Sequence, residues 1–87
     1  MNEQSNTLFG RYQALRVYAA VAQLGKPEFS AGQISSMTGV AGGAVSKELA
    51  KLVLLQVIES TSRRGDYRRL DIPSFWEAVL LLAELWP

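Results

Sequence analysis

Cysteine and histidine are both absent from these 87 residues, and the two absences remove whole classes of chemistry. Without thiols there are no disulfides and no thiolate nucleophile, a composition compatible with a reducing compartment. Without imidazole, nucleophilic triads and most zinc sites cannot be assembled. Long hydrophobic runs are missing too. The longest apolar stretch, residues 78–83, is far short of the roughly 20 residues a membrane-spanning helix needs. Charge of one sign is also scarce: nine basic residues face eight acidic ones, for a net charge of +1, so the bulk charge points to no partner. The start of the chain, Met1-Asn2-Glu3-Gln4-Ser5-Asn6-Thr7, has neither the basic opening nor the apolar run of a secretory signal, so the expected location is cytoplasmic. What remains, 48% hydrophobic and 20% charged, describes an ordinary single globular domain. A chain this short buries a modest share of its surface, which makes a partner surface or a second copy a natural source of stability.

Residues 1–7 lack apolar periodicity and read as a flexible tail, leaving 8–87 as one domain. Leu8, Tyr12, Leu15, Ala19 and Ala22 then recur at helical spacing. Gly25 and Pro27 end that helix, and Glu28-Phe29 reads as a short extended bridge. Ser30 suits the N-cap of a second, short helix that turns Ile34 and Met37 inward before Gly39 stops it. A third helix, 42–54, buries Val45, Leu49 and Leu52 and leaves Ser46, Lys47, Ala50 and Lys51 on or near its other side. The β-branched run 57–61, a turn at 62–66 with Gly65 supplying backbone freedom, and a returning strand at 67–72 make a hairpin. Pro73 and Ser74 open a last helix. The expected fold is mainly α with a small β-hairpin, in the order α-β-α-α-β-β-α.

Two short helices across a tight glycine-containing turn, followed by a basic-tipped hairpin, is an arrangement that lets one helix enter a major groove while the hairpin reaches the backbone or minor groove. Phe29-Ser30-Ala31-Gly32-Gln33-Ile34-Ser35-Ser36-Met37-Thr38-Gly39-Val40, then Ala44-Val45-Ser46-Lys47-Glu48-Leu49-Ala50-Lys51-Leu52, then Val57-Ile58-Glu59, resembles the core of bacterial winged helix-turn-helix transcription regulators of the multiple-antibiotic-resistance and arsenic-repressor types. The resemblance covers about residues 10–75. It implies a homodimeric regulator of double-stranded DNA, with 42–54 as recognition helix and 62–69 as wing.

On the recognition helix the candidate DNA-binding residues are Gly42, Gly43, Ala44, Ser46, Lys47 and Lys51. Lysine meets phosphate or a guanine edge and serine bonds to base or backbone, so neither residue type alone specifies a sequence. Equally, both are ordinary occupants of a solvated helix face. Gly42 and Gly43 depart from the family pattern, which places polar side chains at the start of this helix. Either they let backbone N–H groups approach a phosphate, or they form a flexible entry turn. In the wing, four of the nine basic residues, Arg63, Arg64, Arg68 and Arg69, fall within seven positions, offset locally by Asp66. Guanidinium groups there suit phosphate or a narrow minor groove, although a charged turn also protects a sheet edge. Strand alternation, with Leu70 and Ile72 inward, turns Arg69 and Asp71 outward.

The last helix carries two apolar stripes, Phe75/Val79/Leu82/Trp86 and Trp76/Leu80/Ala83, with Glu77 and Glu84 marking a narrow wet edge. One stripe packs on the domain, and the other, Trp76, Leu80 and Ala83, is the candidate dimer interface. The alternative buries both stripes inside the monomer. No enzyme is expected: the glycine-rich run 38–47 lacks the G-x-x-x-x-G-K-[ST] order and follows a helix, and the carboxylates are scattered. No cofactor or metal is expected either. The rival function is a winged-helix module for protein–protein contact without DNA, since a fold does not fix a function.

Overall fold

In a computed structural model, the structure describes residues 3–61 and 65–85, with side chains described from Gln13 onward. Four helices carry most of the chain: α1 (Glu3–Gln23), α2 (Ala31–Thr38), α3 (Gly42–Leu54) and α4 (Pro73–Leu85). A small antiparallel sheet joins β1 (Glu28–Ser30), β2 (Ile58–Ser60) and β3 (Asp66–Arg69) in the order β1-β3-β2. The element order read from the pattern, and a mainly helical chain with a small sheet, are therefore what the molecule has. Helix α1 begins at Glu3, inside the stretch read as a tail.

The core forms where α1, α2 and α3 converge on the sheet. Val17, Val21, Ile34, Val45, Leu49, Leu52 and Ile58 are fully enclosed, with Phe29, Val57, Trp76 and Val79 around them. On α1 the buried stripe is Val17, Ala20 and Val21, with Leu15, Ala19 and Ala22 only half-buried, so the face is rotated from the one expected. Nearly every residue from Ala14 to Ala22 is apolar. Spacing could not choose a face there; packing against α2, α3 and α4 does. Helix α4 lies along α1, with Trp76 and Val79 inward.

Helix α2 is bounded as its residues dictate. The Ser30 hydroxyl accepts from Gln33 N–H at 3.1 Å, and Gly39, at φ +73°, closes the other end by donating to the Ser35 carbonyl. The residue turned inward at its last turn is Thr38, while Met37 is half-exposed, against expectation. Burying the threonine hydroxyl leaves nothing unsatisfied: Oγ1 donates to the Ile34 carbonyl at 2.8 Å and accepts from Val40 N–H at 3.1 Å. Ser35 Oγ donates to the Val40 carbonyl at 2.7 Å. Two hydroxyls thus fasten residues 39–41 and hold α3 in a fixed relation to α2.

Candidate nucleic-acid interface

Helix α3 presents the residues nominated from sequence as a largely open surface. Gly42, Gly43, Ser46, Lys47, Ala50 and Lys51 are exposed, whereas Ala44 is half-buried and packs against the core. The first turn holds no acidic residue, and Ala41, at the N-cap, provides no side-chain hydrogen bond. The uncompensated amide dipoles there make that end attractive to an anion.

Among the described residues nothing demands glycine at positions 42 and 43. Glycine is demanded by a positive φ or by a neighbour standing where a Cβ would go. Gly39 and Gly65 meet the first condition, at φ +73° and +80°. Gly42 and Gly43 meet neither: their φ angles are not positive, and among the described residues nothing lies within 4 Å of a Cβ built on them.

Further along α3, Glu48 holds two partners that sequence reasoning did not connect. One carboxylate oxygen accepts from the Tyr18 hydroxyl of α1 at 2.9 Å, and the other meets the Lys51 ammonium at 3.3 Å. Burial, reinforced by the hydrogen bond and the negative charge of Glu48, pushes Tyr18 up to about 12. The i,i+3 spacing of Glu48 and Lys51 was a readable signal. Nothing local announced Tyr18, which lies 30 residues away in sequence.

The sheet places its arginines differently from expectation. Strand β3 ends at Arg69, so an alternation counted back from Ile72 has the wrong parity. Arg68 points out and Arg69 points in. The Arg69 guanidinium donates to the carbonyls of Val21 at 2.7 Å, Leu24 at 3.1 Å and Ala22 at 3.3 Å, closing the C-terminal end of α1. Arg69, expected to face outward as a DNA contact, is instead half-buried and turned inward, with Nη1 engaged on the fold at a helix end that favours a cation. Arg68 pairs with Glu59, directly across from it on β2, and faces Glu28 across the other ladder. Asp66, two residues before Arg68, lies on the same sheet face. The body of the hairpin is therefore not a basic surface. Arg63 and Arg64 lie outside the described residues.

No family model, curated protein or solved structure matches this chain. Its function must be argued from its own geometry. Among the described residues no group of acidic side chains is arranged to hold a metal ion, and no helix is long and apolar enough to cross a membrane.

The candidate dimer stripe also needs correction. Trp76 is buried, its indole N–H donating to the Leu70 carbonyl at 3.0 Å and its ring meeting Phe75 edge-on. Leu80 and Ala83 are half-buried. The apolar edge that α4 leaves open is Leu81, Leu82 and Leu85, with 62%, 51% and 76% of their surface exposed. Helix α1 takes the other side.

Proposed function

We propose that this chain is a winged helix-turn-helix domain that binds double-stranded DNA, with α3 entering the major groove, in the manner of a transcription regulator. The observation that carries the proposal is the start of α3: two adjacent glycines that nothing among the described residues demands, at an uncapped helix end free of acidic side chains, beside exposed Ser46 and Lys47. A phosphate is the ligand that uses all of these at once. Backbone N–H groups reach it where no Cβ intervenes, and the helix dipole and the ammonium favour its charge. Ser46 and Lys47 are the side chains placed to meet base edges, so base readout is sparse and DNA shape carries part of the specificity. Arg63 and Arg64 supply the phosphate contacts of the wing. The open edge Leu81, Leu82 and Leu85 is the surface through which two copies associate.

The same leucines and the carboxylates flanking Arg68 favour a second reading, a protein-binding module with no nucleic-acid partner. Selection of bound duplexes from a random pool separates the two. A DNA-binding domain returns an enriched site, and binding weakens steeply with added salt as counterions are released. A pool that comes through unenriched, with no duplex retained at low salt, refutes the proposal.

A further inference from the structure

The two described cations of the proposed interface that carry partners are both held by carboxylates of the same chain. Arg68, with half its side chain exposed, pairs with Glu59, and Lys51, 55% exposed, pairs with Glu48. Both pairings are favoured by where the backbone places the two residues. Glu59 and Arg68 are register partners on adjacent strands, with Glu28 opposite Arg68 on the far ladder. Glu48 is fastened by the Tyr18 hydroxyl, leaving its second oxygen for Lys51. Of each ion pair, the cation is the member more open to solvent: 50% against 43% for Arg68 and Glu59, and 55% against 13% for Lys51 and Glu48.

We infer that Glu59 and Glu48 are built-in competitors for the phosphate contacts of Arg68 and Lys51, lowering the affinity of the domain for duplexes of arbitrary sequence. The inference rests on the DNA-binding proposal and adds a determinant of its sequence-independent affinity. While each ion pair holds, its cation neutralises no phosphate, which lowers the electrostatic affinity that every duplex shares; exposed pairs are weak, so the reduction is modest. Sequence-dependent contacts of Ser46 and Lys47 are not taxed in this way, so they make up a larger share of the total binding free energy.

The test is binding of a fluorescently labelled random-sequence duplex, titrated at several salt concentrations with the whole chain. Glu59→Gln and Glu48→Gln remove the charge while keeping shape, and glutamine at 48 still accepts from Tyr18. Glu84→Gln, on α4, makes the same change in net charge away from both pairs and is the control. Relative to that control, each variant should bind roughly two- to fivefold more tightly, the worth of an exposed ion pair. The plot of log affinity against log salt should steepen by about 0.9 for each additional phosphate neutralised. Adding Arg68→Ala to Glu59→Gln should abolish the gain. If the wild type binds duplex but Glu59→Gln and Glu48→Gln behave like Glu84→Gln, the inference is overturned and the DNA-binding proposal stands. If no duplex is bound by the wild type at any salt concentration, both fall together.

Discussion

Replacing Gly42 and Gly43 with alanine should make the protein more stable and a poorer ligand for DNA. Alanine is favoured over glycine by about 0.8–1 kcal/mol in a helix interior, and by less in a first turn. The pair should therefore contribute about 1 kcal/mol in all. No steric cost from the described residues offsets this, because none of their atoms stands within 4 Å of either new Cβ and neither backbone angle is one that a side chain resists. In a chain of 87 residues, 1 kcal/mol raises the melting temperature by about 4–8 °C. Binding should move the other way. A hydrogen bond from a backbone N–H to a charged acceptor is worth about 1.5–3 kcal/mol, and a methyl group that holds the phosphate away forfeits most of one such bond. That is roughly a tenfold loss of affinity or more. Thermal unfolding by circular dichroism and fluorescence anisotropy with a selected duplex measure the two quantities on one preparation. A higher melting temperature with unchanged affinity would show that the glycines are a pliant entry turn and nothing else.

Arg69 should behave as a structural residue. Arg69→Ala strips three carbonyls of a charged donor and should cost about 2–4 kcal/mol, read as a lower urea midpoint with unchanged slope, while Arg69→Lys restores part of it by keeping the cation at the helix end. A wild-type midpoint in Arg69→Ala would refute the cap. Tyr18 predicts a pH dependence. Its pKa is raised from 10.0 to about 12, so the folded state holds the proton more tightly; the stabilisation is complete below about pH 10 and is lost as pH climbs through 12. Stability should fall more steeply in that window for the wild type than for Tyr18→Phe, and identical profiles would sink the assignment. For the apolar edge of α4, Leu82→Glu with Leu85→Glu should shift the mass in solution from dimer to monomer without unfolding, since both side chains are already exposed. A wild type that sediments as a monomer at high concentration ends that proposal.

The punctuation of this fold was legible because it is local. Pro27, Ser30, Gly39 and Pro73 act within one turn of where they stand, and the helices and strands begin and end beside them. The buried face of α3 was legible for a similar reason: Val45, Leu49 and Leu52 fall on one helical face, with the polar residues Ser46, Lys47, Glu48 and Lys51 between them. Where apolar residues crowd, as in α1 and α4, periodicity had nothing to contrast with, and the inward faces were settled by which elements pack there. The arginines failed differently. Composition marked all four wing arginines as one basic patch, but β3 ends at Arg69, and the acceptors waiting for that side chain belong to a helix more than 40 residues earlier. Likewise the partners of Arg68 sit on two neighbouring strands, a juxtaposition only the register creates.

On the DNA-binding proposal, that redistribution of charge sets how strongly the domain holds a duplex. With Arg69 turned to α1 and Arg68 and Lys51 opposed by carboxylates, the cations that the DNA-binding proposal assigns to phosphate are Lys47, Arg63 and Arg64. If each neutralises one phosphate, log affinity for a random duplex should fall with log salt at a slope of about −2.7 per chain, and twice that for a dimer engaging both halves of a site. Had all four wing arginines and both lysines been available, the slope would approach −5.4 per chain. Measuring it per bound protomer over a tenfold range of salt distinguishes the two. A slope near the larger value would mean that the internal pairs open at no cost and that Arg69 leaves its carbonyls, which would contradict the division of labour drawn from the hydrogen bonds of Arg69 and the register of the sheet.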